Sequence, residues 1–163
     1  MNPLSTCDLC DALRDDAGQN LRVLPPPWAH FGGVAAFHGT IATLRCHEDN
    51  TLVRAALEEP GQGRVLVVDG GGSLRTALVG GKLAALAARN GWAGIVVDGA
   101  VRDAAELAAC AVGIVAAALC PMPPAKRGAG QRDGPVQLRG VAVRPGQFLV
   151  ADADGVIVLE RAP

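Results

Sequence analysis

Three stretches of the chain carry continuous apolar runs of strand length, with short amphipathic segments between them. Arg64-Val65-Leu66-Val67-Val68-Asp69, Gly94-Ile95-Val96-Val97-Asp98-Gly99 and Gly113 to Leu119 do not alternate apolar with polar. That is the pattern of strands covered on both faces. Leu74 to Leu78 reads as a short helical segment broken at Gly80-Gly81. Lys82 to Asn90 then places Leu83, Leu86 and Ala87 on one stripe and stops at Gly91, which predicts a helix. Arg102 to Ala109 predicts a further short helix. The resulting order is βαβαβ, and such an order predicts a largely parallel sheet.

The flanks read differently. Thr6 to Asp16 predicts an opening helix that Ser5 or Thr6 can cap, and Pro25-Pro26-Pro27 forces an extended connection. Val34 to Arg45 predicts one or two strands around Gly39. Asp49 or Asn50 can cap a helix over Leu52 to Glu58, ended by Pro60-Gly61. After the third apolar run, Pro121 to Pro135 turns to Pro, Gly, Lys and Arg, a long loop of the kind that often carries function. Val136 to Val143, Gln147 to Ala151 and Val156 to Leu159 alternate, and predict antiparallel strands joined at Pro145-Gly146 and Asp152 to Gly155. No internal repeat and no second domain are visible, so residues 1–163 read as a single α/β domain.

Composition narrows the functions open to such a domain. Fifteen basic and sixteen acidic residues leave a net charge of -1, against the basic excess expected of a nucleic-acid binder. There is no Tyr, and Phe31, Phe37, Phe148, Trp28 and Trp92 are too few for base-stacking platforms. The longest nearly uncharged apolar stretch, Leu107 to Pro121, falls short of the roughly 20 residues of a membrane span. Met1 to Asp8 lacks the basic start and apolar run of a signal peptide. Cys7, Cys10, Cys46, Cys110 and Cys120 are odd in number and irregularly spaced, as expected of reduced thiols in the cytoplasm. Gly, at 21 of 163 residues, is roughly twice its usual share of about 7% and marks tight turns and close backbone approaches.

Several candidate motifs have plainer readings. Asp69-Gly70-Gly71-Gly72-Ser73 follows a buried strand, as a phosphate-binding turn would, but lacks the third glycine and any Gly-Lys-Ser/Thr. A tight structural turn or another anion suits it better than a nucleotide or a methyl donor. Cys7-Asp8-Leu9-Cys10 lies on a predicted helix without the second pair a zinc site needs. His30, His38 and His47 are scattered, and no Gly-x-Ser-x-Gly element is present.

Gly99-Ala100-Val101-Arg102-Asp103-Ala104-Ala105-Glu106 differs from these because it follows a buried strand where open α/β sheets place ligands. Asp103 and Glu106, three apart, can present both carboxylates on one face, which suits a Mg²⁺-like ion. Arg102 can hold a carboxylate or enolate oxygen through its planar fork. Taken alone, the segment also fits an ordinary helix start with acidic residues favoured by the dipole. Gly80-Gly81-Lys82-Leu83 adds bare backbone amides at a second helix start, a cradle for a carboxylate. Anion cradle, Arg and metal ligands together describe an α-keto acid site.

In sequence order, Phe31-Gly32-Gly33, Glu48-Asp49-Asn50, Val67-Val68-Asp69-Gly70-Gly71-Gly72-Ser73, Gly99-Ala100-Val101-Arg102-Asp103 and Asp152-Ala153-Asp154-Gly155 resemble the regulator of ribonuclease E activity A family. The resemblance spans about Cys7 to Leu159. That family includes class II 4-hydroxy-4-methyl-2-oxoglutarate aldolases, which also decarboxylate oxaloacetate; its members were formerly often labelled menaquinone methyltransferases. Catalytic members carry Gly, twenty residues, Arg-Asp, two residues, then Glu or Asp. Gly81, Lys82 to Val101, Arg102-Asp103, Ala104-Ala105 and Glu106 meet this in full, whereas regulators without aldolase activity tend to lack the Asp.

The resemblance implies that amides of Gly80, Gly81, Lys82 and Leu83 bind the substrate carboxylate and that Arg102 binds the keto acid. It implies that Asp103 ligates a divalent metal, Mg²⁺ or Mn²⁺, and that Glu106 orients metal-bound water. It also implies a layered α/β/α-type sandwich resembling swivelling phosphohistidine domains, assembled as a ring-shaped homotrimer with sites between subunits. Ribonuclease E is the partner implied for a non-catalytic regulator. One departure is Gln147, where the family usually has Asp after Pro-Gly.

Overall fold

The computed structural model describes residues 4–163. The first three residues of the Met1 to Asp8 segment therefore lie outside the described residues. The elements run α1 (Thr6–Leu13), β1 (Arg22–Val23), β2 (Ala29–His30), β3 (Phe37–Arg45), α2 (Thr51–Glu58), β4 (Val65–Asp69), β5 (Ala77–Val79), α3 (Gly81–Arg89), β6 (Gly94–Val101), α4 (Ala104–Ala109), β7 (Gly113–Leu119), β8 (Gln131–Arg132), β9 (Val136–Leu138), β10 (Val141–Val143), β11 (Phe148–Asp152) and β12 (Gly155–Leu159). Strands β3, β4, β6 and β7 are parallel neighbours in that order, which is the sheet expected from the βαβαβ pattern. β11 and β12 extend it antiparallel beyond β3.

The pleat divides the core. Leu44, Leu66, Val68, Ile95, Val97, Ile114 and Ala116 face α2, α3 and α4, where Val53, Leu57, Leu83 and Leu107 complete one apolar layer. Their neighbours Ile41, Val65, Val67, Val96 and Val115 face the other way. That side is closed by strands: Val136, Leu138 and Val143 from the β9–β10 hairpin, with Leu149, Ala151, Val156 and Val158 of the curling sheet end. α1 covers Phe148, Val150, Ile157 and Leu159. Its start is fixed by Ser5, whose hydroxyl accepts from Asp8 N–H at 3.3 Å, and by Asp152, whose carboxylate takes Thr6 N–H and Oγ1 at 2.7 Å each.

Two elements depart from the sequence expectation. Val136 to Val143 is not one strand paired across Pro145-Gly146 but the β9–β10 hairpin, a sheet of its own, while β11 pairs with β3 and β12. Leu74 to Leu78 is not helical; it is a loop leading into β5. Five residues cannot repay the cost of nucleating a helix, and β6, three residues longer than β4, leaves an open edge beyond Asp98 that Ala77 and Val79 fill in parallel register. Ala77 N–H is meanwhile bonded to Met122 O at 2.9 Å. The Pro121 to Pro135 loop holds one short strand, β8, against β3. Gln147 is buried and ties its own turn, accepting Arg144 N–H at 2.8 Å and donating to Glu160 at 3.0 Å.

Phe37 sets how closely β6 and β7 approach the β-side layer. A Cβ added at Gly94 or Gly113 would overlap the Phe37 ring. Gly113→Ala is expected to cost about 1–3 kcal/mol through overpacking, read as a lower urea midpoint at unchanged slope. A midpoint equal to that of the parent chain would show that the ring moves aside freely.

Candidate active site

Four connections leave the C-terminal ends of the parallel strands and meet around one pocket of about 260 Å³. This is the edge at which open α/β sheets bind ligands. After β5, Gly80 caps α3 and brings Lys82 and Leu83 to the wall; after β6, Arg102, Asp103 and Glu106 form a second wall. After β7 the segment Pro121 to Lys126 crosses the mouth with Pro123, Pro124 and Lys126, and after β3 the start of α2 contributes Asn50 and Arg54. The structure thus brings Gly80, Lys82, Leu83, Arg102, Asp103 and Glu106 together as the sequence pattern requires.

Asp103 departs in detail. It is the N-cap of α4, not a residue of its first turn, and its backbone is left-handed with φ 63. Asp tolerates this conformation better than most residues do. The turn aims the side chain back at α3, where Oδ2 accepts Gly81 N–H at 3.0 Å. Arg102 Nε lies 3.8 Å from the same oxygen, and both side chains are 38% exposed. Arg102 is held from both ends, by its N–H on Val79 O at 2.9 Å and by Nη1 on Pro121 O at 3.3 Å. A side chain at either glycine would displace the carboxylates of the site: a Cβ on Gly80 would lie 2.7 Å from Asp103 Oδ2, and one on Gly81 would overlap Glu106.

The anion cradle is accordingly smaller than the sequence implies, because Gly81 N–H is engaged by Asp103. The first helical bond of α3 is Ala84 N–H to Gly80 O at 3.0 Å. The amides of Lys82 and Leu83 therefore precede the helical ladder and have no carbonyl partner within it.

Asp49, a candidate cap for α2, takes an N–H at the start of that helix and has a second role the sequence did not predict. It is 2% exposed and accepts Thr51 N–H at 2.9 Å and Arg127 N–H at 2.6 Å, fastening the loop after β7 to the start of α2. Asn50, whose side chain was a candidate cap for α2, instead donates to Leu78 O at 3.2 Å. Burial alone would push the Asp49 carboxyl up, yet the N–H groups of Thr51, Arg127 and Ala129 favour its charged form and hold it below the usual carboxylate range. Asp152 is lowered in the same way, burial being outweighed by Thr6 N–H and hydroxyl.

A folded value below the unfolded one makes each contribution complete above about pH 4, and it is lost as pH falls through the depressed value. Protection of the Arg127 amide, corrected for intrinsic exchange, is therefore expected to hold down to about pH 4 and to fall below it. A flat profile would show that Asp49 does not clamp this segment.

The other candidate motifs are accounted for structurally. In Asp69 to Ser73, Gly71 N–H is bonded to Asp69 Oδ1 at 3.0 Å and Gly72 N–H to Asp98 O at 3.0 Å, so the turn consumes its own amides. All five cysteines are free. The nearby Asp154 charge pushes the exposed Cys7 up, burial pushes Cys10 up, and burial with Asp49 and Asp69 takes Cys46 to about 12. None of these three is an activated thiolate. Among the described residues, no cluster of three or more His, Cys, Asp or Glu is placed to hold a metal. Two carboxylates, with water and substrate completing the shell, still suit Mg²⁺, which commonly uses one or two protein carboxylates. Among the described residues, no helix is long and apolar enough to cross a membrane.

A family model described as RraA-like, Aldolase/RraA, matches residues 6–158. The chain belongs to the RraA-like family. A relative from Burkholderia mallei (strain SAVP1), provisionally named 4-hydroxy-4-methyl-2-oxoglutarate aldolase, is 59% identical over 159 residues, covering 97% of this chain and 96% of its own. The structure of the RNA-processing inhibitor RraA from Thermus thermophilis superposes with a TM-score of 0.92 at 50% identity, covering 98% of this chain and 94% of that one. A structure from Geobacillus kaustophilus HTA426, described as an S-adenosylmethionine: 2-dimethylmenaquinone methyltransferase, gives 0.93 at 44% identity, with 98% and 96% covered. The same RraA-like fold has thus been given aldolase, inhibitor and methyltransferase descriptions, and the site residues must decide among them.

Proposed function

We propose that this chain is a divalent-metal-dependent carbon–carbon lyase, a 4-hydroxy-4-methyl-2-oxoglutarate aldolase that also decarboxylates oxaloacetate. The observation that carries the reading is the meeting of Arg102, Asp103 and Glu106 with the start of α3 in one pocket. The amides of Lys82 and Leu83 bind the carboxylate next to the keto group. The Arg102 fork, held by Pro121 O, faces the keto oxygen and stabilises the negative charge that develops there as the C3–C4 bond breaks. Asp103 is the direct ligand for Mg²⁺ or Mn²⁺, and Glu106 reaches the ion through water. Bound there, the cation supplies further polarisation of the keto oxygen.

Breaking C3–C4 in the hydroxy acid releases pyruvate and leaves the enolate of a second pyruvate. In oxaloacetate the same bond releases carbon dioxide. Glu106 lies in the same pocket and is the group proposed to take the C4 hydroxyl proton in the aldol case and to return it to C3 of the enolate; after decarboxylation the C3 proton comes from solvent. Purified protein with Mg²⁺ or Mn²⁺ is expected to release pyruvate from oxaloacetate and to stop when EDTA is added. Pyruvate release that ignores the chelator, or none at all, overturns the reading.

The likeness to the Thermus inhibitor favours a second activity, binding and inhibition of ribonuclease E by protein contact. Loss of the metal ligand separates the two, since inhibition is expected to survive in an Asp103→Ala chain. The proposed assembly is a ring-shaped homotrimer in the cytoplasm. Leu74, Leu119 and Met122, each at least half exposed, border the connections that form the pocket and supply apolar surface for subunit contact. Sedimentation at micromolar concentration tests it against a monomer.

A further inference from the structure

The pocket is far more positive than the chain that contains it. Its lining holds four cations, Arg54, Lys82, Arg102 and Lys126, against two carboxylates, Asp103 and Glu106, while the whole chain carries -1. Among the described residues neither Lys82 nor Lys126 makes an ion pair, and Arg54 reaches only Glu58 at 4.0 Å on its own helix. Convergent unpaired cations in one concavity raise the local concentration of anions. Arg102 and the α3 amides, with the cation on Asp103, suffice for a keto acid's first carboxylate and keto oxygen. Lys82 and Lys126 then remain without a counter-charge, and Arg54 has only the exposed Glu58 at 4.0 Å.

Lys126 is also the residue of its segment whose two neighbours are both fixed. Ala125 N–H is bonded to Glu48 O at 2.9 Å and its carbonyl accepts Asn50 N–H at 3.3 Å, while Arg127 N–H is held by Asp49 at 2.6 Å. A lysine pinned on both sides at the rim of a pocket loses little further backbone freedom on binding, which is how preorganisation raises affinity. The pocket, at about 260 Å³ against the ~30 Å³ share of a water molecule, has room beyond a three-carbon acid.

We propose that Lys126 and Arg54 form the subsite for the second carboxylate of the substrate, and so select keto acids charged at both ends. The proposal rests on the keto-acid reading of the same pocket. Lys126→Met and Arg54→Met are both exposed substitutions outside the proposed reacting groups. With Mg²⁺ present, binding of 2-oxoglutarate and of the singly charged 2-oxobutanoate is measured by calorimetry on the parent chain and each variant. The parent chain is expected to bind 2-oxoglutarate more tightly. Each substitution is expected to weaken it about tenfold, in line with a charge-assisted contact, and to change 2-oxobutanoate by less than about twofold.

Equal weakening of both ligands, or no weakening of either, overturns the subsite and leaves the keto-acid reading intact. Failure of the parent chain to bind either ligand overturns that reading and the subsite with it.

Discussion

Asp103→Asn is expected to leave a folded chain with its metal-dependent release of pyruvate lowered on the order of 10³-fold or more, roughly 4 kcal/mol of transition-state stabilisation. Asn suits the left-handed backbone at this position about as well as Asp does, and its side-chain oxygen can still accept Gly81 N–H. What it loses is the charge, and with it the affinity for a hard divalent cation. Asp103→Ala removes more: the ligand, the bond to Gly81, and a residue at ease at φ 63. About 1–2 kcal/mol of stability should go with that backbone strain. Urea unfolding of both variants beside the oxaloacetate assay separates the two effects. An Asn variant that keeps its activity would remove Asp103 from the chemistry.

Arg139→Ala is expected to be the most damaging single change to the fold away from the pocket. Arg139 is 18% and Asp98 9% exposed at their side chains, and Nε lies 3.5 Å from Asp98 Oδ1. The guanidinium also covers the Trp28 ring at 3.7 Å and donates to Pro25 O at 2.7 Å and to Pro27 O. One side chain thus joins the β9–β10 turn to the proline segment and to β6. Removing it strands the Asp98 carboxylate in a dry site, which costs about 3–5 kcal/mol. For a domain of this size the melting temperature should fall by roughly 8–16 °C. Arg139→Lys keeps the charge but not the planar fork and the stacking, and should recover only part of the loss. A fall below about 1 kcal/mol would mean water reaches Asp98 and replaces the guanidinium.

How much of this the sequence discloses depends on how local its causes are. β4, β6 and β7 are legible because strands buried on both faces need unbroken apolar runs, and α3 because one stripe and Gly91 delimit it. The two-residue strands β1, β2 and β8 carry no such signal, since each exists only through the strand it meets. Leu74 to Leu78 departs from the helix its residues suggest because its conformation is set by the free edge of β6.

At the site, Arg102, Asp103 and Glu106 sit within five positions and follow a readable strand, so pattern finds them. The left-handed turn at Asp103, which diverts Gly81 N–H from the cradle, has no sequence signature. Lys126 comes to the pocket beside Arg54 of α2 because Asp49 fastens a loop more than seventy positions away, and neither periodicity nor spacing records that contact.

The central position of β3 has a consequence for how the chain acquires its shape. β3 pairs with β4 on one side and with β11 on the other, joining Thr40 to Phe148 and Ile41 to Val65. One edge closes over a short stretch of chain, whereas the other must wait for a segment roughly a hundred residues further on. On the ribosome, the parallel half can form while the β11 edge of β3 stays bare, an invitation to unwanted strand pairing. Folding is then limited by the arrival of β11 and β12, on the millisecond-to-second scale of non-local sheets.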